Sequence, residues 1–241
     1  MEKKYILSVD QSTQGTKALL FDQKGKLLGR ADLPHRQRIS DQGWVSHDLD
    51  EIYQNTIVAV RTVVEKTGIQ KEEIAGLGIS NQRETTAAWN RISGEPADYA
   101  IVWQCSRAKA ISEEMAAKGF GDIIRKKTGI PLSPFFPASK LAWILRNVPK
   151  AKRWQKEKNL MMGTMDTWLI YKLTGGKSYK TDYSNASRTQ LFNLETLAWD
   201  QEICEAFGVD IGDLAEVCDS NACYGMTDLE GFFNEPVPIH G

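Results

Sequence analysis

Residues 5 to 21 leave the start of this chain little structural choice. Tyr5-Ile-Leu-Ser-Val-Asp10 and Lys17-Ala-Leu-Leu-Phe21 are apolar runs of strand length, and Gln11-Ser-Thr-Gln-Gly-Thr16 between them is polar and turn-forming. Two such runs around such a turn read as a β-hairpin. Its backbone N–H groups and hydroxyls can line a concave anion site, to which Lys17 adds a positive point charge. Asp10 supplies the hard oxygen ligand that a hydrated Mg²⁺ ion prefers. These are the parts of a phosphate-gripping loop.

The rest of the composition narrows the partners. At 241 residues the chain can bury one sizeable core, or form one domain with a lobe. With 30 Lys+Arg against 31 Asp+Glu, the net charge of −1 gives no general attraction to nucleic acid or an anionic membrane, and neither is expected as a partner. No apolar run approaches a membrane span. Met1-Glu-Lys-Lys leads into a strand-length run rather than a signal peptide, so a cytoplasmic location is expected. Cys105, Cys204, Cys218 and Cys223 form no C-x-x-C pair, and His35, His47 and His240 are scattered, so reduced thiols and no zinc site are expected.

Strand-like segments at about 5–9, 17–22 and 26–32 suggest an antiparallel meander, with Asp22-Gln-Lys-Gly25 as the second turn. Asp48 is placed to N-cap a helix whose apolar positions Ile52, Thr56, Ala59, Val60, Val63 and Val64 recur at helical spacing, and Gly68 ends it. Ile74–Ile79 reads as a buried strand and Thr86–Trp89 as a short one. The order β-β-β-α-β-β departs from strict βα alternation and suits a mixed sheet. The fold class expected is α/β: an actin-like, ribonuclease H-like ATPase domain with a mixed β-sheet flanked by helices. Helical patterning continues over about 107–118, 120–127, 138–147 and 164–173, with Trp143 and Trp168 on core faces. Ile130-Pro-Leu-Ser-Pro-Phe-Phe-Pro137 reads as a shaped loop, and the tail from Asp219 as turn-rich with an extended end.

Gly176-Lys177-Ser178 imitates the end of a P-loop, but Tyr171 stands where that motif needs its first glycine and a helix precedes it, so it is set aside. The hairpin taken alone is matched by many ordinary polar turns. Arg83-Glu84 strengthens it, because a charged pair at the C-terminal end of a buried strand is where such sheets present ligand groups. Arg offers a fork of donors and Glu offers acceptors, enough to hold two neighbouring hydroxyls of a polyol; the plainer alternative is a surface ion pair. Trp103 can cover the C–H side of a polyol or can be core, and Phe135 and Phe136 can form a second apolar wall.

Together, Asp10-Gln-Ser-Thr-Gln-Gly15, Gly43–Asp48, Gly78-Ile-Ser-Asn-Gln-Arg-Glu-Thr-Thr86, Ala100–Cys105, Phe135–Asn147, Gly163–Ile170 and Thr181–Arg188 resemble the FGGY carbohydrate kinases, and within them the glycerol kinase branch. The resemblance implies a two-domain ATPase with its site in the cleft between domains, ATP and Mg²⁺ as cofactors, and a small polyol or sugar as substrate. Carried over by residue, Asp10 would organise Mg²⁺ near the phosphates, with Thr13, Gln14 and Lys17 on the nucleotide side. Arg83, Glu84, Trp103 and Phe135 would bind substrate. Lys17 stands where this branch usually has arginine, and Phe135 where it usually has tyrosine.

The resemblance further implies that residues 1–241 are the substrate-binding N-terminal domain. The general-base aspartate and a C-terminal nucleotide-binding domain would follow Gly241, and these residues alone are expected to be inactive. The expected reaction is transfer of the ATP γ-phosphoryl group to a primary hydroxyl, with glycerol as the leading acceptor. Another small polyol or ketose (a tetrulose, xylulose or ribulose), or a non-catalytic actin-like binding module, are the alternatives. Oligomeric state is left open, a homo-oligomer included.

Overall fold

A computed structural model of the protein describes residues 2–241; Met1, the first residue of the N-terminal segment, lies outside them. β1 (Tyr5–Gln11) and β2 (Gly15–Asp22) pair antiparallel with Asp10 opposite Lys17, and β3 (Leu27–Pro34) extends the meander. The hairpin tip is only Ser12–Gln14, closed by Ser12 N–H donating to Gly15 O at 2.9 Å. β4 (Arg38–Ile39) and β5 (Val45–His47) come next.

α1 (Leu49–Thr67) begins where Asp48 accepts from the N–H groups of Asp50 and Glu51, and ends at Gly68 in the left-handed region (φ 67°). Its buried stripe, including Ile52, Ile57, Val60, Val63 and Val64, packs on Leu7, Val9, Ala18 and Leu20 of the hairpin. Each such side chain contributes roughly 1.5–3 kcal/mol of transfer free energy. β6 (Ile74–Asn81) then returns parallel to β1.

The chain next leaves this sheet. β7 (Thr86–Asn90) and β8 (Ala100–Ile101) join β4 and β5 in a second sheet, so the strand at 86–90 does not extend the first. A helical stretch follows: α2 (Lys109–Ala117), α3 (Phe120–Thr128), α4 (Pro137–Asn147) and α5 (Pro149–Lys156). β9 (Leu160–Thr164) completes the second sheet, in the order β4-β5-β8-β7-β9, and α6 (Met165–Leu173) sends Trp168 into the first core, its Nε1 donating to Leu49 O at 2.9 Å.

The remaining elements are short. They are β10 (Lys180–Asp182), α7 (Tyr183–Ala186), β11 (Phe192–Asn193), β12 (Ala198–Trp199), α8 (Gln201–Phe207), β13 (Glu216–Cys218), β14 (Gly225–Thr227) and β15 (Val237–His240). The first sheet is thereby β14-β15-β6-β1-β2-β3. β15 lies inside it despite Pro238, because pairing with β6 begins only at Ile239, one residue past the missing N–H. Gly76 permits that approach: a Cβ there would meet Pro238 O at 3.2 Å.

Two readings from the sequence change, and two gain what it did not give. Pro137 opens α4 rather than closing the loop, as proline at the first helical position can. Trp143 is half-buried, standing edge-on to Trp44, with the Arg107 guanidinium 5.1 and 5.2 Å from the two rings. α5 and α8 escape periodicity because they are short and bury only two and three side chains. The extended tail is a paired interior strand.

Candidate active site

Four residues make one of the crossings between the two sheets, each of which has its own core. β6 ends at Asn81 and β7 starts at Thr86, so Gln82-Arg83-Glu84-Thr85 crosses from one to the other. The crossing leaves the C-terminal end of parallel strands, where side chains project beyond the sheet. The hairpin tip belongs to the first sheet and Trp103 follows β8 of the second, so the site gathers at the seam.

Arg83 and Glu84 have different surroundings. Arg83 is exposed, and its guanidinium has no ion pair or hydrogen bond among the described residues. Glu84 is buried, and Arg188 Nε donates to its Oε1 at 2.8 Å. The Arg188 guanidinium also lies 4.9 Å from the centre of the Phe136 ring. Glu84 Oε2 keeps its acceptor capacity. The pair is thus one anchored carboxylate beside one unengaged donor fork, rather than a mutual ion pair.

Trp103 and Phe135 do come together, their ring centroids 5.4 Å apart, with Phe136 5.1 Å beyond Phe135. The loop carrying both phenylalanines is fixed from beneath by Lys140, whose ammonium donates to the carbonyls of Phe135 and Phe136. Lys140 is fully buried, and desolvation pulls it down to about 7, against the opposing pull of Cys105 and Glu84. Trp103 also reaches the hairpin: its Nε1–H donates to Thr13 Oγ1 at 2.9 Å. Substrate-side and nucleotide-side candidates are therefore one hydrogen bond apart.

At the hairpin, Lys17 Nζ lies 2.7 Å from Asp10 Oδ2, so the expected free cation is paired. Both side chains keep about a third or more of their exposure, 33% and 40%, and such a pair is worth at most about 1 kcal/mol. An arriving phosphate can compete for Lys17 at little cost. Gln14 is exposed at the tip, and its carbonyl accepts from His35 N–H at 3.3 Å.

Residues that sequence reasoning did not single out brace these groups. Asn81 at the end of β6 donates to Asn185 Oδ1 at 2.9 Å, and Asn185 in turn donates to Asp182, which also accepts from Ser220 Oγ. Asp166, buried, accepts from Thr164 and Thr181; burial pushes its carboxyl up to about 6 despite those bonds. Arg188 falls within a segment that carries the family resemblance, but no spacing links it to Glu84, 104 residues away.

Among the described residues no group of three or more His, Cys, Asp or Glu could hold a metal ion, and no helix is long and apolar enough to cross a membrane. Cavities of about 480, 530 and 650 Å³ elsewhere are lined by none of the candidate residues. The site is an open wall.

Residues 5–241 match the N-terminal domain of the FGGY family of carbohydrate kinases. Glycerol kinase 1 of Thermotoga maritima is 46% identical over 98% of this chain, which covers 48% of that protein. A crystal structure of Plasmodium falciparum glycerol kinase with ADP superposes with a TM-score of 0.91 at 33% identity, over all of this chain and 48% of that one. A gluconate kinase from Lactobacillus acidophilus, 24% identical with a TM-score of 0.87 over 98% of this chain and 47% of its own, shares the fold. The chain spans about half the length of the curated relatives it matches. With residues 5–241 matched by the family's N-terminal domain, the chain belongs to the FGGY family of carbohydrate kinases.

Proposed function

We propose that residues 1–241 form the substrate-binding N-terminal domain of a glycerol kinase-type enzyme, and that the whole protein transfers the γ-phosphoryl group of ATP to a primary hydroxyl of glycerol. The observation that carries this reading is the anchored Glu84 carboxylate beside the unengaged Arg83 fork, against the Trp103–Phe135 wall. Relatives named glycerol kinase, 43–46% identical over nearly all of this chain, support the same acceptor.

In this reading Arg83 donates to the hydroxyl oxygens of glycerol, and Glu84 Oε2 accepts from one hydroxyl. The Trp103 and Phe135 rings cover the carbon backbone and exclude water. The Trp103–Thr13 bond sets the distance between this wall and the hairpin, where the Ser12–Thr13 turn and Lys17 hold the phosphates. Positioning of both partners supplies most of the rate in such a transfer. The acceptor oxygen bonds to the γ-phosphorus, the bond to the β–γ bridging oxygen breaks with its electron pair leaving on ADP, and the hydroxyl proton passes to a general base. We place that base, and the adenosine site, in a further C-terminal domain.

Mg²⁺, when bound, offsets the charge of the phosphates. Asp10 fits it as a single half-exposed carboxylate, which suits an ion that keeps its waters and travels with the nucleotide. We place the enzyme in the cytoplasm.

Phe135 favours a second reading within the family. Without a hydroxyl at that position, a larger polyol or a ketose loses less relative to glycerol. The test is ADP release by the full-length protein across glycerol, erythritol, dihydroxyacetone and ketopentoses. Glycerol is expected to give the highest kcat/KM; equal values across the panel would remove glycerol as the substrate, and no ADP release with any acceptor would remove the kinase reading.

A further inference from the structure

Beneath the hairpin and the Trp103 wall lie five buried polar side chains with no role in the reaction outlined above: Gln11, His35, His47, Gln82 and Thr85. Their hydrogen bonds form a connected path. The Trp103 backbone N–H donates to Thr85 Oγ1 at 3.2 Å, and Thr85 gives its own hydroxyl proton to Gln82 Oε1 at 2.6 Å. The Ser12 carbonyl on its far side, which can only accept, fixes the Gln82 amide. Its NH₂ group must face that side, where Gln11 Oε1 (3.2 Å), Ser12 O (3.4 Å) and His47 Nδ1 (3.3 Å) surround it.

An amide nitrogen only donates, so His47 Nδ1 accepts and the single ring proton of His47 sits on Nε2. Burial keeps that imidazole neutral, as the acceptor role requires. On the hairpin side, Gln11 Nε2 donates to Ser12 O at 2.9 Å, and His35 Nε2 reaches the same oxygen at 2.8 Å. Ser12 leads to Thr13, whose Oγ1 accepts from the Trp103 indole. The path thus leaves Trp103 by its backbone and returns to its ring.

We propose that Gln82 is a positioning residue. Through Thr85 on one side and Gln11 and Ser12 on the other, it locks the Ser12–Thr13 turn to Trp103, so that the phosphate-side turn and the substrate-side wall move as one body. The bonds span three separate pieces of the fold: the hairpin of the first sheet, the crossing segment, and β5 and the Trp103 loop of the second sheet. A buried amide that merely filled space could be replaced by an apolar group at little cost. This one has both ends engaged, and its orientation follows from the Ser12 carbonyl, which can only accept. Only the assignment of the turn to phosphate and the wall to substrate rests on the kinase reading; the relay needs no substrate.

The test is nitrogen-15 NMR on this chain, with the Trp103 indole and His47 ring signals assigned through Trp103→Phe and His47→Gln. In the parent at pH 7.5, His47 Nδ1 is expected to be unprotonated and Nε2 protonated. In Gln82→Leu and in Thr85→Val, the Trp103 indole N–H is expected to exchange with solvent more than threefold faster, although neither residue hydrogen-bonds the indole. Thr85→Ser, which restores the hydroxyl, is expected to restore the parent rate. A parent His47 protonated on Nδ1, or a change of threefold or less in Thr85→Val, overturns the relay. Should Gln82→Leu fail to fold, Thr85→Val, close to threonine in shape, decides alone. Failure of phosphoryl transfer in the parent enzyme would sink the kinase reading and leave these signals unchanged.

Discussion

Glu84 takes its counter-ion from Arg188, 104 residues along the chain, and not from Arg83 beside it. The contact is 2.8 Å, with the Glu84 side chain 10% exposed and that of Arg188 29%. The carboxylate is thus held by the interior, while the neighbouring guanidinium stays open to a ligand. This separation gives adjacent residues opposite signatures on mutation.

Arg188→Ala leaves a buried carboxylate with no partner and removes the cation from the face of Phe136. A loss of about 1–3 kcal/mol in unfolding free energy is expected, read as a lower urea midpoint with an unchanged slope. Arg188→Lys is expected to recover only part of it, because an ammonium lacks the planar fork. An unchanged midpoint would mean that the pair contributes nothing to folding.

Arg83→Ala is expected to do the reverse. Arg83 is exposed and unengaged, so stability should stay within about 0.5 kcal/mol of the parent. On the proposed reading, kcat/KM for glycerol in the full-length protein should fall by about two orders of magnitude, in line with loss of a charged hydrogen bond worth about 1.5–3 kcal/mol. Steady-state kinetics showing no change would take Arg83 out of the site.

Phe135→Tyr adds a hydroxyl at the ring that stands against Trp103. If glycerol binds there, one new hydrogen bond worth about 0.5–1.5 kcal/mol should lower its KM roughly two- to tenfold. Erythritol or a ketose should gain less. A KM for glycerol that does not fall would move the substrate away from position 135.

Acid should weaken the seam between the sheets. Burial, and then the neighbouring His35, hold His47 down at about 4, whereas in the unfolded chain it titrates near 6.5. Between those values the unfolded state binds more protons, so this stability is complete above about pH 6.5 and is lost as pH falls toward 4, amounting to about 2–3 kcal/mol. Asp166 acts in the opposite sense, since its folded carboxyl is raised to about 6 and protonation there favours the folded state. The His47 contribution is isolated by the difference in unfolding free energy between the parent and His47→Gln, which should move against the parent from pH 7 to pH 4.5. A constant difference would refute it.

Much of the framework is legible in local pattern. Two apolar runs around a polar turn mark the hairpin in residues 5–22, and the stripe from Ile52 to Val64, with Asp48 before it and Gly68 after it, marks α1. What escapes is whatever local order does not encode. Pro238 disguises an interior strand, because only the register with β6 shows that its missing N–H is not needed. The strand at 86–90 carries no mark of which sheet it will join. α5 buries two side chains, too few to leave a stripe.

The candidate site divides along the same line. By itself the sequence determined which side chains could do chemistry here: Asp10, Thr13, Gln14 and Lys17 on a turn, Arg83 and Glu84 after a buried strand, and Trp103 and Phe135 as aromatic walls. Hydrogen-bonding capacity and strand period are properties of short segments. Only the tertiary structure decided which of these groups are engaged: Lys17 with Asp10, Glu84 with Arg188, Trp103 with Thr13, and Arg83 with none of the described residues. Those partners lie from 7 to 104 residues apart, and hydrogen bonds act over about 3 Å, so only the folded chain can select them.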